Sequence, residues 1–401
     1  MRGASGVTRA AWPVGSLWLV LGVLWIAANL RAPMTSVSPL LASIQATFGL
    51  NTVQVGLITT LPLVALAMVS PLAAGVARRL GLERALMAGL GLIALGIAVR
   101  SAGPLWCLYL GMWLLGAGIA FGNVLLPGLL KRDFPGHVAA LTGAYAITMG
   151  LAAALASASV VPLALGWEWG WAVTLGAMVW MPLLGMLLWW PQVIRPAAPA
   201  ALRAGPARVP LWREPLAWQV SLFIAINSFL YYVLIGWLPA LMTGAGYSAG
   251  SAGAWHGVMQ LMAGLPGLVL APILRRLRNQ QALAMLNGLV VAASLLGLWA
   301  MPAWSGFWVA MFGAASGAGM ILGLVLVNLR SASPLQAAAL AGMGQSVAYC
   351  LAAAGPTLMG AVFEYSGSWA LPLWLSAAAA GVMAWCGWLA GRSRVIGEIN
   401  H

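Results

Sequence analysis

The sequence predicts an all-α membrane protein whose helices cross the bilayer about twelve times. Hydrophobic residues make up 62% of the 401 positions and charged residues only 6%, against roughly 25% charged residues in a soluble domain. The apolar stretches run about 20 residues or more, without the alternation that marks a barrel strand. Helices satisfy their own backbone hydrogen bonds in lipid, so we expect lipid to surround most of the chain.

The basic residues give these segments an orientation. With the N-terminus inside, all but two of the 19 basic residues, Arg31 and Arg100, fall on one side of the membrane. This distribution follows the positive-inside rule, and we expect both termini to be cytoplasmic. The predicted spans are roughly 14–45, 52–74, 84–101, 104–130, 137–163, 168–190, 216–243, 249–273, 281–301, 304–329, 335–363 and 369–391.

One long polar break divides the chain. Residues 191–215 contain six prolines and four arginines, a composition that predicts an extended cytoplasmic linker. It separates a six-helix half, 1–190, from a second six-helix half, 216–401.

The two halves also repeat, at an offset near 200 residues. Gly116-Ala117-Gly118 recurs as Gly317-Ala318-Gly319, and Gly49-x-Asn51 is matched by Gly246-x-Ser248. Duplicated halves with a site at their interface near the midplane are typical of a rocking carrier.

Arg31 is the most informative residue, because it lies deep in the first span and away from the loop arginines. A charge near mid-membrane costs about 2.5–3.5 kcal/mol on insertion scales, so it is expected to face a wet cavity or a partner. Thr35 and Ser38 extend a polar stripe at i+4 and i+7. No acidic residue is clearly mid-membrane, so Arg31 favours an anion or a neutral ligand rich in acceptors. The alternative is an arginine satisfied by helix-terminal carbonyls. For Arg100, at the outer end of the third span, snorkelling explains the charge.

Further polar side chains within the spans are predicted to line the same cavity. Asn227 with Tyr231, and Gln345 with Tyr349, share a helix face at i+4. The alternative for such groups is hydrogen bonding between helices. The predicted solute-binding residues are Arg31, Asn29, Asn123, Tyr145, Asn227, Tyr231, Gln345 and Tyr349.

His256 is the remaining titratable group in a span and shares a face with Gln260. Two interpretations stand evenly: a carrier of a coupling proton, or a hydrogen-bonded structural histidine.

Several other functions are disfavoured. The net charge of +13 is placed in loops and does not form a nucleic-acid surface, and the three cysteines lack the spacing of a metal site or a disulfide framework. We expect no metal and no cofactor.

The stretch 246–250 spells a nucleophile-elbow pattern without the strand and the partners that the motif needs, so Ser248 is predicted to cap a helix. The glycines at 116–118 are predicted to allow close helix packing.

Four blocks of sequence carry a family resemblance. They are Asn29-Leu30-Arg31 with Thr35-Ser36-Val37-x-Pro39-Leu40-Leu41; Gly122-Asn123-Val124-Leu125-Leu126-Pro127 with Lys131-Arg132-Asp133-Phe134-Pro135; Tyr231-Tyr232 with Trp237-Leu238-Pro239; and Gly342-Met343-x-Gln345-Ser346-Val347-x-Tyr349. Together they resemble the cyanate/2-nitroimidazole transporter family of the major facilitator superfamily. The chain departs from the family at Ala32, inserted before Pro33, and at Asn227, where glutamine is usual. The superfamily's gating loop motif survives as Arg79 and Gly81, and Met112 stands at an arginine position of a second motif.

The resemblance implies the twelve-helix major facilitator fold and a secondary transporter in the inner membrane. Its solute would be small and anionic or rich in acceptors, cyanate-like or nitroimidazole-like, moved by alternating access. Its partners would be the solute and the bilayer, with no nucleic acid, and the protein would be a monomer. A multidrug or metabolite exporter of the same superfamily is the alternative, which the missing acids argue against. An intramembrane enzyme would need a metal cluster or a catalytic acid/base pair, and a sensor would need a soluble output domain.

Overall fold

The computed structural model describes residues 16–134, 137–194, 211–267, 270, 279–332 and 334–397. Within these ranges every regular element is a helix, as predicted, and eleven helical segments are long and apolar enough to cross a membrane. The predicted eighth span is the exception, because its described helix has only 16 residues and 271–278 lie outside the described residues.

The helices follow the predicted order along the chain. The first nine are α1 (Ser16–Asn29), α2 (Ala32–Thr35), α3 (Leu41–Phe48), α4 (Thr52–Leu80), α5 (Leu82–Arg100), α6 (Leu105–Asp133), α7 (Val138–Val161), α8 (Gly170–Ala177) and α9 (Trp180–Ile194). The others are α10 (Pro215–Gly244), α11 (Ala249–Gly264), α12 (Gln281–Ala300), α13 (Ser305–Leu329), α14 (Pro334–Ser366) and α15 (Ala370–Ala390). Because α9 continues to Ile194, the first four residues of the predicted linker are helical, while 195–210 lie outside the described residues.

Two predicted spans are broken helices. The first span consists of α1, the four-residue α2, a 3₁₀ turn at Ser38–Leu40 and α3, and the sixth is interrupted between α8 and α9. The expected polar stripe from Arg31 through Ser38 on one helix is therefore wrong. Thr35 instead turns its hydroxyl back to the carbonyl oxygen of Arg31, at 3.2 Å.

The repeat predicted from the glycine and cap residues is visible at the helix starts. Asn51 caps α4 in a capping box with Gln54, and Ser248 caps α11 by accepting a hydrogen bond from the Ser251 amide. Gly49 and Gly246 precede these caps with φ of 62° and 92°, a backbone region that favours glycine. The prediction that Ser248 is an N-cap is confirmed.

The paired Gly-Ala-Gly elements are sites of close helix packing, which confirms the second prediction from the repeat. A Cβ atom on Gly116 would collide with the carbonyl oxygen of Pro62, and one on Gly317 with that of Ala263. Since the obstacles are backbone atoms, neither site can relax by moving a side chain.

The end of the bundle at which α4, α6 and α13 finish, here called the proximal end, is held by one arginine in each half. Arg132 pairs with Glu83 at 2.5 Å and with Asp133 at 2.6 Å. Arg330 donates to the side chain of Gln280 at 2.7 Å and to the Gly391 carbonyl oxygen at 3.0 Å. The same position thus holds a carboxylate in one half and a neutral amide in the other.

At the opposite end, here called the distal end, the two halves are in contact along two seams. The α4–α14 seam brings the hydroxyl oxygens of Thr60 and Thr357 to 2.9 Å. In the α7–α11 seam a Cβ atom on Gly257 would lie 2.7 Å from the Ala154 carbonyl oxygen. Buried apolar residues of both halves form one core around these seams, so the structure is closed at the distal end.

Candidate functional site

Arg31 lies at the break in the first span, where the backbone leaves the helix between Asn29 and Ala32. Its side chain is partly exposed, and its guanidinium carbon sits 5.0 Å from the ring centroid of Tyr231. Tyr231 belongs to α10, so this cation–π contact joins the two halves. A cation over a tyrosine face is stabilised by about 0.5–2 kcal/mol.

Four phenols lie within electrostatic range of the Arg31 charge. Tyr145 on α7, Tyr231 and Tyr232 on α10 and Tyr349 on α14 all interact electrostatically with the guanidinium. The predicted residues Tyr145, Tyr231 and Tyr349 are therefore brought together with Arg31.

Tyr232 and Asn123 complete the cluster. The rings of Tyr231 and Tyr232 pack edge to face, 5.7 Å apart. Asn123 on α6 is a polar neighbour of the Tyr349 phenol. Sequence reasoning did not assign Tyr232 to the site, although its adjacency to Tyr231 in a recognised block was an available signal. Here the term Arg31 cluster means Arg31, Asn123, Tyr145, Tyr231, Tyr232 and Tyr349.

A buried amide extends the polar network beyond the Arg31 cluster. Tyr231 donates its hydroxyl hydrogen to Oε1 of Gln260 at 2.6 Å. Nε2 of Gln260 is buried and has no hydrogen-bond partner in the part of the chain that the structure describes. A buried donor left without a partner costs about 1–3 kcal/mol, which marks Gln260 as a group with spare hydrogen-bonding capacity next to the site.

The other predicted binding residues lie elsewhere or at the margin. Asn29 is fully buried and donates from Nδ2 to the carbonyl oxygens of Trp25 and Met181, at 2.9 and 3.4 Å. Asn227 is buried and donates to the Ser316 carbonyl oxygen at 3.1 Å. Both amides thus link helices and do not contact the Arg31 side chain. Gln345 is partly exposed on α14, one turn before Tyr349.

His256 is fully buried in the α7–α11 seam. Its Nε2 lies 3.1 Å from the Ile235 carbonyl oxygen and its Nδ1 lies 3.0 Å from the Ser157 hydroxyl. A carbonyl only accepts hydrogen bonds, so Nε2 must carry a hydrogen. The neutral tautomer with Nε2–H and a donating Ser157 satisfies both nitrogens, and the Ser157 contact joins the two halves.

The residues of the predicted gating loop motif occupy the turn between α4 and α5. Gly81 ends one helix and begins the next with φ of 89° and ψ of 157°, a conformation that L side chains rarely adopt. Arg79 is exposed on the last turn of α4.

Arg100 does not snorkel to the surface, and that prediction is wrong. Its side chain is fully buried and donates to the carbonyl oxygens of Pro33 and Leu175, the latter at 3.2 Å. Carbonyl oxygens of two other helices lie close enough to hold the guanidinium inside the protein. The sequence of the third span alone cannot predict these contacts.

The charge of the site is not balanced by a carboxylate. Among the described residues, every ion pair belongs to Arg132 at the proximal end. A separate cavity of about 740 Å³ lies at the distal end, between Gln45, Thr52, Trp237, Phe363 and Trp369 among others. It does not include Arg31, and the Arg31 cluster is the candidate site on the basis of its charge and its position between the two halves.

Comparison with known proteins identifies the family. Residues 17–354 match the Major Facilitator Superfamily. The chain is 50% identical to the 2-nitroimidazole transporter of Escherichia coli (strain K12) over 380 residues, covering 94% of this chain and 96% of that one. It is 26% identical to the cyanate transport protein CynX of the same organism, over 88% and 91% of the two chains.

Its fold is similar to that of a crystallised D-xylose–proton symporter, with a TM-score of 0.78, 14% identity and coverage of 96% and 100%. Family membership makes the chain a multi-pass membrane transporter of a small solute and not an enzyme. The chain belongs to the Major Facilitator Superfamily, and within it to the cyanate/2-nitroimidazole transporter family.

Proposed function

We propose that the chain transports a small anionic or acceptor-rich solute, bound by the Arg31 cluster, across the inner membrane by alternating access. The protein acts as a monomer with twelve spans and cytoplasmic termini. The observation that carries the proposal is the uncompensated Arg31 guanidinium between the two halves. A cation at membrane depth without a carboxylate attracts an anion or a strong acceptor and repels a cation.

The nature of the surrounding groups narrows the solute further. Phenol hydroxyls and the Asn123 amide donate hydrogen bonds, and tyrosine faces stack on planar groups. A nitro group or a cyanate ion presents the negative oxygen or nitrogen atoms that such donors bind. The printed names of the relatives, a 2-nitroimidazole transporter and a cyanate transport protein, support the same two probes.

The distal seams support alternating access as the mechanism. Contacts across the α4–α14 and α7–α11 seams rest on small residues and single hydrogen bonds, which can separate without exposing large charged groups. With cytoplasmic termini, the distal end faces outward, and the described conformation faces inward.

The direct test is uptake of radiolabelled 2-nitroimidazole and of cyanate into proteoliposomes that contain the purified protein. We expect saturable uptake of at least one probe, and Arg31→Ala to raise its KM by at least about tenfold, since removing one hydrogen-bonded charge costs about 1.5–3 kcal/mol. Arg394→Ala, an exposed arginine near the C-terminus, is the control for a change of net charge. Uptake by Arg31→Ala equal to that by wild type would reject Arg31 as the solute-binding residue.

A further inference from the structure

We propose that Arg100 is a positioning residue that fixes the break in the first span and thereby sets the direction of the Arg31 side chain. This inference rests on the proposed function of Arg31 and adds a second arginine, one that never touches the solute.

The contacts of Arg100 join three separate segments. Nη1 donates to the Pro33 carbonyl oxygen and lies 4.0 Å from the sulfur of Met112, while Nη2 donates to the Leu175 carbonyl oxygen at 3.2 Å. Pro33 lies two residues after Arg31, in α2. Leu175 lies in the last turn of α8, just before the interruption of the sixth span. One planar guanidinium therefore bridges both broken spans of the first half, a geometry that lysine cannot reproduce.

The end of α2 creates the acceptor that Arg100 uses. In a continuous helix the Pro33 carbonyl would accept from the Val37 amide, but that amide turns to Met34 at 3.5 Å. The freed Pro33 oxygen accepts instead from the Ser36 hydroxyl at 3.1 Å and from Arg100. Two donors fill both lone pairs of a carbonyl oxygen, so the interruption is stable only while they are present.

Helix ends explain how Arg100 stays charged without a carboxylate. It is the last residue of α5, and one of its two carbonyl partners, Leu175, lies in the last turn of α8, while the other, Pro33, lies in the four-residue α2. The C-terminal end of a helix carries partial negative charge. The guanidinium is thus placed where backbone dipoles converge.

The consequence is a fixed direction for Arg31. Its backbone has φ of −131° and ψ of −46°, outside the helical region, and this departure directs the side chain toward Tyr231 on the other half. Without the Arg100 bridge, α2 can shift relative to α5 and α8, and Arg31, which lies two residues before Pro33, would move with it away from Tyr231.

The test compares affinity with turnover in purified Arg100→Lys. We expect the Kd for radiolabelled 2-nitroimidazole, measured by equilibrium dialysis, to rise roughly 2- to 30-fold, a usual size for a residue that acts through another. The matched control is Arg330→Lys. Arg330 is also buried at a helix end and also binds carbonyl oxygens, those of Ala390 and Gly391, but it lies in the other half. We expect Arg330→Lys to lower the thermal stability of the protein and to leave the Kd for 2-nitroimidazole unchanged.

A double mutant separates positioning from general damage. In an Arg31→Ala background, Arg100→Lys should change Kd no further, because the group that it positions is gone. An equal rise of Kd in both backgrounds, or no rise in the wild-type background, would overturn the inference. An unchanged Kd in Arg31→Ala alone would instead reject the proposed function of Arg31.

If Arg100→Lys does not fold, Ser36→Ala takes its place. It removes the other donor to the Pro33 oxygen without removing a buried charge. We expect a smaller rise of Kd, about two- to threefold, that again disappears in the Arg31→Ala background. A wild-type Kd for Ser36→Ala would count against the inference that the donors to the Pro33 oxygen fix the break in the first span.

Discussion

Arg31 and Arg100 of the first half form no ion pair with any described residue, and the structure accommodates them in different ways. Arg100 has no exposed surface and is held by carbonyl oxygens at helix ends. Arg31 is partly exposed and rests against the Tyr231 ring, with hydrogen-bonding capacity left for a solute. Backbone carbonyl oxygens thus hold Arg100 in place through its two terminal nitrogens, whereas Arg31 is the arginine for which we propose a role in binding.

The Tyr231 ring is expected to hold Arg31 in its binding direction. Tyr231→Leu removes the π face, and we expect KM for 2-nitroimidazole uptake to rise about 2- to 30-fold, the range that corresponds to a cation–π contact of about 0.5–2 kcal/mol. Tyr231→Phe keeps the ring and loses only the hydroxyl bonded to Gln260, so its KM should stay closer to that of wild type. Equal KM values for Tyr231→Leu and Tyr231→Phe would show that the Tyr231 ring does not hold Arg31 in its binding direction.

His256 is expected to link transport to protons through the α7–α11 seam. In the distally closed structure both ring nitrogens are engaged. Opening the seam would separate Ser157 from His256 and admit water, and we expect the ring to exchange its proton with solvent in that state. We expect His256→Ala to remove the effect of a pH gradient on 2-nitroimidazole uptake in proteoliposomes. Retention of the full gradient effect would mean that the histidine is only structural.

At the scale of elements, the sequence predicted the helices well and their interruptions not at all. Hydropathy averages over a window, and the windows around 30–31 and 178–179 remain apolar enough to predict one uninterrupted span each. The hydrogen bonds of Asn29 and Asn227 to neighbouring helices could not be predicted for a related reason. Periodicity gives the spacing of side chains on one helix, while the neighbouring helix decides whether an amide meets a carbonyl, as at Met181 and Ser316.

Close packing through glycine is expected to be a strict requirement at the repeated elements. Gly116→Ala and Gly317→Ala each place a methyl group against a backbone carbonyl, and such overpacking costs about 1–3 kcal/mol. We expect both variants to melt at a lower temperature in detergent than wild type. Gly381→Ala is the matched control, because nothing lies within 4 Å of a Cβ atom on Gly381. It should melt at the same temperature or higher, since alanine is the better helix former. Similar melting for all three variants would contradict this account.

At the scale of the whole molecule, the duplication visible in the sequence predicted features of both halves but not their relation. The caps at Asn51 and Ser248 and the tight glycines at 116 and 317 could be read from the repeat. Arg31 and three of the tyrosines around it could be read as polar groups at membrane depth. The contact of Arg31 with Tyr231 on α10, which joins the two halves at the cluster, depends on which end of the bundle is closed. A single sequence encodes every conformation of a carrier, so it cannot indicate the one that is adopted.

Alternating access requires the distal seams to open, and this can be tested by locking one of them. In a background without Cys107, Cys350 and Cys386, a Thr60→Cys/Thr357→Cys pair replaces hydroxyls whose oxygens are 2.9 Å apart across the two halves. Such a pair is close enough for a disulfide of about 2.05 Å. We expect oxidation to abolish uptake of 2-nitroimidazole and a reductant to restore it.

The control for the lock is a disulfide confined to one half. Ser248→Cys/Ser251→Cys replaces hydroxyls 3.0 Å apart at the start of α11, and its oxidation should leave uptake unchanged because these residues move together. A carrier that rocks must break the Thr60–Thr357 contact once in every cycle, whereas a channel-like path through a rigid bundle would not. Undiminished uptake by the oxidised Thr60/Thr357 pair would therefore rule out rocking about the α4–α14 seam.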